Sequence, residues 1–387
     1  MSIDFELYPF EKMRKLLADS TIKSGAKYLN LSIGEPQFAT PKIIIDEIAK
    51  NSALFSKYPS SAGEKRLREA QIGFVQRRFG VDLHFDQLLP TLGTREALFN
   101  FPQSLLFGKN GKSGKSGNGK NAPAIAYPNP FYQIYEGAAK ACRAESVLLD
   151  LTEANGFLPD IDDERLGSCD LVILNSPNNP TGAVMDIETL KKWAQLSDRY
   201  GFTLLNDECY SEIYRADKPP SLLEAARAIG NLEFKNIIVM NSLSKRSSAA
   251  GVRSGFAAGD AEILKDYARY RSYAGCTAGA PLQLGAAAAW EDDLHAEEIR
   301  QKYAKNMDLA EKLLRIKAPD AAFYLWLKVG DDQGAARRLY EDYAIGALCG
   351  SFLSRSVDPI GYLRIALVYQ ESETIEALER IKAFLEI

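Results

Sequence analysis

Through the middle of the chain, apolar runs of strand length alternate with amphipathic stretches of helix length. The strand candidates lie at 124–127, 171–174, 202–205 and 237–240. Between them stand helical patterns such as FYQIYEGAAKACRA and DIETLKKWAQLSDRYGF, with Asp186 placed to cap the second. Such alternation predicts an α/β unit with a mostly parallel sheet, in which ligands gather at the carboxyl ends of the strands. Here those ends read PNPFY, NSPNNPTG, NDECY and NSLSK. One polar strand end means little, but four in one unit predict a shared site.

From about Tyr273 the pattern changes. A long helical stretch over 295–316 leads to strand-like AAFYLWLKV, another helical pattern, strand-like GYLRIALV and a terminal helix ESETIEALERIKAFLEI. The division expected is a large unit over 45–272, and a smaller α+β unit made of 1–44 together with 273–387. The Gly/Lys/Ser/Asn-rich segment 108–121 misses the phosphate-loop pattern at Asn121 and lacks the strand-then-helix context, so a surface loop is expected there.

Composition narrows the function. With 387 residues, 46% of them hydrophobic and 25% charged, the chain can bury a large core. A net charge of −4 argues against a broad nucleic-acid surface. The amino-terminal segment lacks a signal-peptide layout, no apolar run reaches membrane-spanning length, and the five separated cysteines read as reduced thiols, so a cytoplasmic protein is expected. Only two histidines exist, His84 and His295. Both fall in polar stretches without a nucleophile signature, so surface positions are expected and no histidine-rich metal site is.

The stretch SLSKRSSAAGVRSG, 242–255, carries the most chemistry. A lysine directly after a buried strand is suited to condense with carbonyl compounds once its pKa is lowered by burial or a nearby cation. Ser242, Ser244 and Arg253 together suit a phosphate dianion.

At these residues the sequence resembles the class I and II aminotransferases, and the likeness runs along almost the whole chain. LSIGEP, KYPSSAGEKRLREA, LGTREALF, PNPFYQIYEGAA, NSPNNPTGAV, NDECYSEIY, SLSK with a later Arg, and YLRIAL occur in the family's order. The resemblance implies fold type I, with a mostly parallel seven-stranded sheet flanked by helices plus a smaller α+β domain, and pyridoxal 5′-phosphate as cofactor. It implies that Lys245 is the Schiff-base lysine and that Asp207 pairs with the pyridine nitrogen. Asn179 and Tyr210 would bond the cofactor's phenolic oxygen. Gly93, Thr94 and Arg95 would open a helix toward the phosphate, as backbone N–H groups and a helix dipole allow. Tyr132 would stack on the ring, Tyr58 would reach the phosphate in a neighbouring subunit of a homodimer, and Arg364, with Gly34 and Asn179, would hold the substrate α-carboxylate. Ser254 departs from the aliphatic residue common after the arginine.

At finer grain, YPFEKMR, NLSIGEP, REALFNF, DECYSEIY, SLSKRS, RSGFAAGD and GSFLSR resemble the succinyl-diaminopimelate aminotransferases. This implies exchange between N-succinyl-LL-2,6-diaminopimelate and the glutamate/2-oxoglutarate pair. Arg355 and Arg246 are the candidates for the distal carboxylate. The same residues would also serve a general aspartate, alanine or aromatic aminotransferase, or a cysteine-S-conjugate β-lyase.

Overall fold

A computed structural model describes residues 3–107, 122–162, 164–356 and 361–386; the Gly/Lys/Ser-rich segment 108–121 lies outside the described residues. In chain order the strands are β1 (Leu29–Asn30), β2 (Leu88–Thr91), β3 (Ala124–Asn129), β4 (Glu145–Asp150), β5 (Leu171–Asn175) and β6 (Thr203–Asp207). They continue with β7 (Ile237–Ser242), β8 (Gly255–Gly259), β9 (Tyr324–Lys328), β10 (Ile345–Gly346), β11 (Leu348–Cys349) and β12 (Tyr362–Ala366).

The large sheet has seven strands in the order β2-β8-β7-β6-β5-β3-β4. All neighbours are parallel except at β8, which runs antiparallel to both β2 and β7. Every residue of β3, β5, β6 and β7 is buried, as helices on both faces of a parallel sheet require. The four strand candidates are thus β3, β5, β6 and β7, and their carboxyl ends carry Asn129, Asn175, Asp207 and Ser242. Asp186 caps the helix Ile187–Tyr200 by accepting from Thr189 N at 2.7 Å.

The smaller unit has an antiparallel sheet β11-β12-β9 under helices Asp332–Tyr343 and Glu371–Leu385, and the short parallel pair β1–β10 brings the amino-terminal segment onto it. Its core joins Met13, Leu29 and Leu31 to residues from Met307 onward. One expectation shifts. The helix Ala280–Glu291, assigned from sequence to the smaller unit, buries Ala286, Ala287, Ala289 and Trp290 in the large core. Its alanine-rich composition lets it pack closely against the helices Lys42–Lys50 and Lys65–Phe79, so packing groups it with the large unit.

Glu208, beside the end of β6, is fully buried. One oxygen accepts from Asn206 Nδ2, Ser221 Oγ and Leu222 N at 2.8–3.1 Å, while the other has no partner among the described residues. Burial outweighs these bonds and pushes its carboxyl up to about 8. A carboxyl raised on folding loses stability as pH rises, because the unfolded chain ionises first. Glu208→Gln is therefore expected to match the parent near pH 4.5 and to gain over it up to about pH 8, levelling off above. Denaturant melts across this range check it; a constant difference would be the contrary result.

Candidate active site

The carboxyl ends of β5, β6 and β7 open into a cavity of about 540 Å³ between the two units. Of the residues expected at a site, Gly34, Thr94, Arg95, Tyr132, Asn179, Asp207, Tyr210, Ser242, Ser244, Lys245, Arg253 and Arg364 line it. Gly93 stands directly behind the wall: a Cβ there would meet Arg253 Nη2 at 2.3 Å, and its φ of +72° suits glycine. Tyr58 is elsewhere, its side chain fully exposed on the surface of the chain.

Lys245 sits on the four-residue helix Leu243–Arg246 that follows β7, and its ammonium donates to the carbonyl of Gly34. Burial, helped by the positive charges of Arg364 and Arg95, lowers it to about 8, against the opposing pull of Cys209 and Glu35. About a tenth is therefore unprotonated near neutrality, far more than for an ordinary lysine, as a nucleophilic amine or a base needs. A side chain at Gly34 would force Tyr324 to move, since a Cβ would lie 2.0 Å from Tyr324 Oη.

Asp207, at the end of β6, is 4% exposed. Tyr135 Oη donates to Oδ2 at 2.8 Å and Cys209 N to Oδ1 at 3.2 Å. Burial nevertheless raises its pKa, the bonds from Cys209 and Tyr135 only partly offsetting it. It has no cationic partner among the described residues, and a buried carboxylate in that state calls for one.

Beside it the helix Thr94–Leu106 begins at the cavity wall, offering free backbone N–H groups. Ser242 Oγ lies 3.0 Å from Ser244 Oγ, and Arg253 is held by the carbonyls of Ala250 and Leu92 at 2.8 and 3.2 Å, with no carboxylate in an ion pair among the described residues. Together these make an anion cradle.

Arg364, on β12 of the smaller unit, is buried at 5% exposure. It donates to Asn179 Oδ1 at 2.9 Å and Ser32 O at 2.7 Å, while Nε has no partner among the described residues. Asn179 is placed in turn by Asn175, whose side chain accepts from Asn179 N and donates to Asp207 O, both at 2.8 Å. Tyr132 accepts from Arg95 Nε at 2.8 Å, and Tyr210 shares a 2.8 Å hydrogen bond with Tyr324.

Several contributors escaped the sequence reading. Tyr135 stands three residues past Tyr132 in FYQIY, a spacing that puts both on one side of a turn and was the available signal. Tyr324 and Cys209 had none beyond membership of strand-like or strand-end segments. Three expectations are corrected. Arg246 is 1% exposed and donates to the carbonyls of Ala289 and Asp292 and to Asp293 Oδ1 at 2.7–3.1 Å, away from the cavity. Arg355 is clamped on both oxygens of Glu136 at 2.7 Å, so it too is engaged outside the cavity. His295 is buried, bonded to Asp292 and Ser247, because its helix start packs under the Lys245 turn rather than facing solvent. His84 is exposed, as expected. No helix is long and apolar enough to cross a membrane, and no metal-binding cluster occurs among the described residues.

A carbonyl-reactive amine, a buried carboxylate awaiting a cation, an anion cradle and a guanidinium fork thus share one cavity, which fits pyridoxal phosphate and an amino acid. Comparison with known proteins agrees. Solved structures similar to the chain include the aminotransferase AspB from Helicobacter pylori, 47% identical with a TM-score of 0.93 over 99% of both chains. Another is an aminotransferase from Neisseria meningitidis, 38% identical with a TM-score of 0.90 over 98% of both. The chain is 30% identical to the LL-diaminopimelate aminotransferase of Aquifex aeolicus over 93% of its length and 92% of that protein. Residues 26–381 match the family Aminotransferase class I and II, so the chain belongs to the pyridoxal-phosphate-dependent class I and II aminotransferases.

Proposed function

We propose that this aminotransferase exchanges the amino group between N-succinyl-LL-2,6-diaminopimelate and 2-oxoglutarate. The observation that carries this reading is the pair Arg364 and Arg95, two guanidinium groups lining one cavity with Lys245 and forming no ion pair with a carboxylate among the described residues. Arg364 would grip the α-carboxylate and Arg95 the far carboxylate, which the succinyl group and 2-oxoglutarate both supply. Relatives named LL-diaminopimelate aminotransferase support the diamine backbone.

The bound cofactor supplies a carbonyl that condenses with amines and a cationic ring that accepts an electron pair. On this reading Asp207 keeps that ring's nitrogen protonated, and Asn179 and Tyr210 hold its phenolic oxygen. Ser242, Ser244, Arg253 and the backbone N–H groups of Gly93, Thr94 and Arg95 hold the phosphate, and Tyr132 covers the ring face. Lys245 would take the proton from the substrate α-carbon and later return it at the carbon on the other side of the amino nitrogen. Tyr58, exposed on the single chain, would reach the site of a second copy in a homodimer.

In single-turnover absorbance measurements on the loaded enzyme, the succinylated diamine and glutamate are expected to convert the cofactor fast, aspartate and alanine slowly. Arg95→Gln should raise KM for glutamate about tenfold, the worth of one charged hydrogen bond, while leaving alanine within about twofold. Conversion mainly by aspartate or alanine would reject the substrate assignment.

A further inference from the structure

The amine and the fork that must meet one substrate belong to different units: Lys245 to the large one, Arg364 to the small. Among the described residues, two stretches of chain join the two cores, one between Leu31 and Ile44 and one between Trp290 and Met307. They pack on each other, with the Phe38 and Tyr303 rings 4.9 Å apart in a cluster that also holds Tyr210, Phe323 and Tyr324.

Two serines stand immediately after the Lys245 helix, and each is fastened to a different crossing. Ser247 Oγ lies 2.8 Å from His295 Nε2, and His295 Nδ1 lies 2.6 Å from Asp292 Oδ2. Ser248 Oγ donates to Phe38 O at 2.5 Å, while Thr40 Oγ1 donates to Ser248 O at 2.9 Å. Ser248 has φ +46°, a left-handed backbone that a residue with a side chain holds only when its surroundings impose it. Lys245 itself donates to Gly34, on the first crossing.

Asp292, His295 and Ser247 have the order of a hydrolase triad. Ser247, however, is 0% exposed and does not line the cavity around Lys245, so no substrate reaches it. The charged groups that act on His295 include Arg246, Asp292 and Asp293. Charged groups that act on Lys245 include Arg364, Glu35 and Arg95.

We propose that Ser247, Ser248 and His295 are positioning residues for Lys245, fastening its turn to both crossings so that the amine and Arg364 keep one spacing. Nothing in this depends on which amino acid is the substrate.

The test is made on the pyridoxal-phosphate-loaded enzyme with glutamate as donor. Ser247→Ala is expected to lower kcat about tenfold or more with KM held within about threefold, since small misplacements of a reacting group are costly. The pH midpoint of the bound cofactor's visible absorbance, which reports the proton at the Lys245 nitrogen, should move by about half a unit or more. His295→Gln, whose amide can take the place of Nε2 toward Ser247, should lose less of both than Ser247→Ala does. Ser248→Gly separates positioning from mere stability: it relieves the left-handed backbone while losing the bond to Phe38 O, two opposing effects of similar size, so the protein should melt close to the parent, yet kcat should fall. A Ser248→Gly enzyme with the parent's kcat and midpoint would overturn the proposal. So would a Ser247→Ala enzyme that melts lower but keeps both.

Discussion

Replacing Lys245 with alanine is expected to leave a folded protein that still binds pyridoxal phosphate but turns over about 10⁴-fold more slowly or worse, the span of a lost acid–base and nucleophilic group. The other cations lining the cavity are Arg95, Arg253 and Arg364. A guanidinium stays charged in proteins and cannot take a proton from carbon. Neither histidine lines the cavity, so no imidazole can step in. Lys245 alone joins reach with a lowered pKa, about 8. The cradle of Ser242, Ser244, Arg253 and the helix start at Thr94 does not depend on it, which is why cofactor retention is expected to survive. The check is cofactor absorbance after desalting, followed by multiple-turnover assays with glutamate and an oxo acid. Turnover within about tenfold of the parent would remove Lys245 from its role.

The large sheet was readable because its central strands are covered on both faces, which leaves short apolar runs as plain as 171–174 and 237–240. Strands with weaker patterns were not. β4 alternates exposed and buried residues along ESVLLD, and β8 is GFAAG, with too little side chain to register as apolar. The helix Ala280–Glu291 was assigned to the wrong unit for a related reason. Alanines bury well against close neighbours, yet nothing in their order along the chain says which neighbours those are.

The site was readable where its residues sit at strand ends in short motifs: Asp207 after β6, Lys245 after β7, Asn179 after β5. Those that meet only through folding were not. Tyr324 comes from the smaller unit and touches Tyr210, which is 114 positions away in the chain. His295 reads as exposed because it stands in a polar stretch, and Arg246 and Arg355 read as free for a substrate carboxylate; only the fold reveals the carbonyls and carboxylates within the chain that engage all three.

Asp207→Asn is expected to separate stability from activity. Burial raises the Asp207 pKa in the protein without cofactor. The sign follows from linkage: the unfolded chain ionises at the ordinary carboxylate range while the folded chain resists, so a penalty grows as pH rises above that range and persists at neutrality. An asparagine keeps the shape and carries no charge; its oxygen can accept from Cys209 N while its amide donates to Tyr135 Oη. The apo protein should therefore melt higher than the parent at pH 7 and equal it near the bottom of the carboxylate range. In the loaded enzyme the same change removes the anion that would hold the ring nitrogen protonated. Turnover should then fall about 10²–10³-fold, the scale of losing one preorganised electrostatic partner. Paired melts of apo protein and assays of loaded enzyme give both numbers. A variant that melts lower at pH 7 would mean that Asp207 already has its compensation within the chain. One that keeps its turnover would mean that the ring nitrogen is governed by another group.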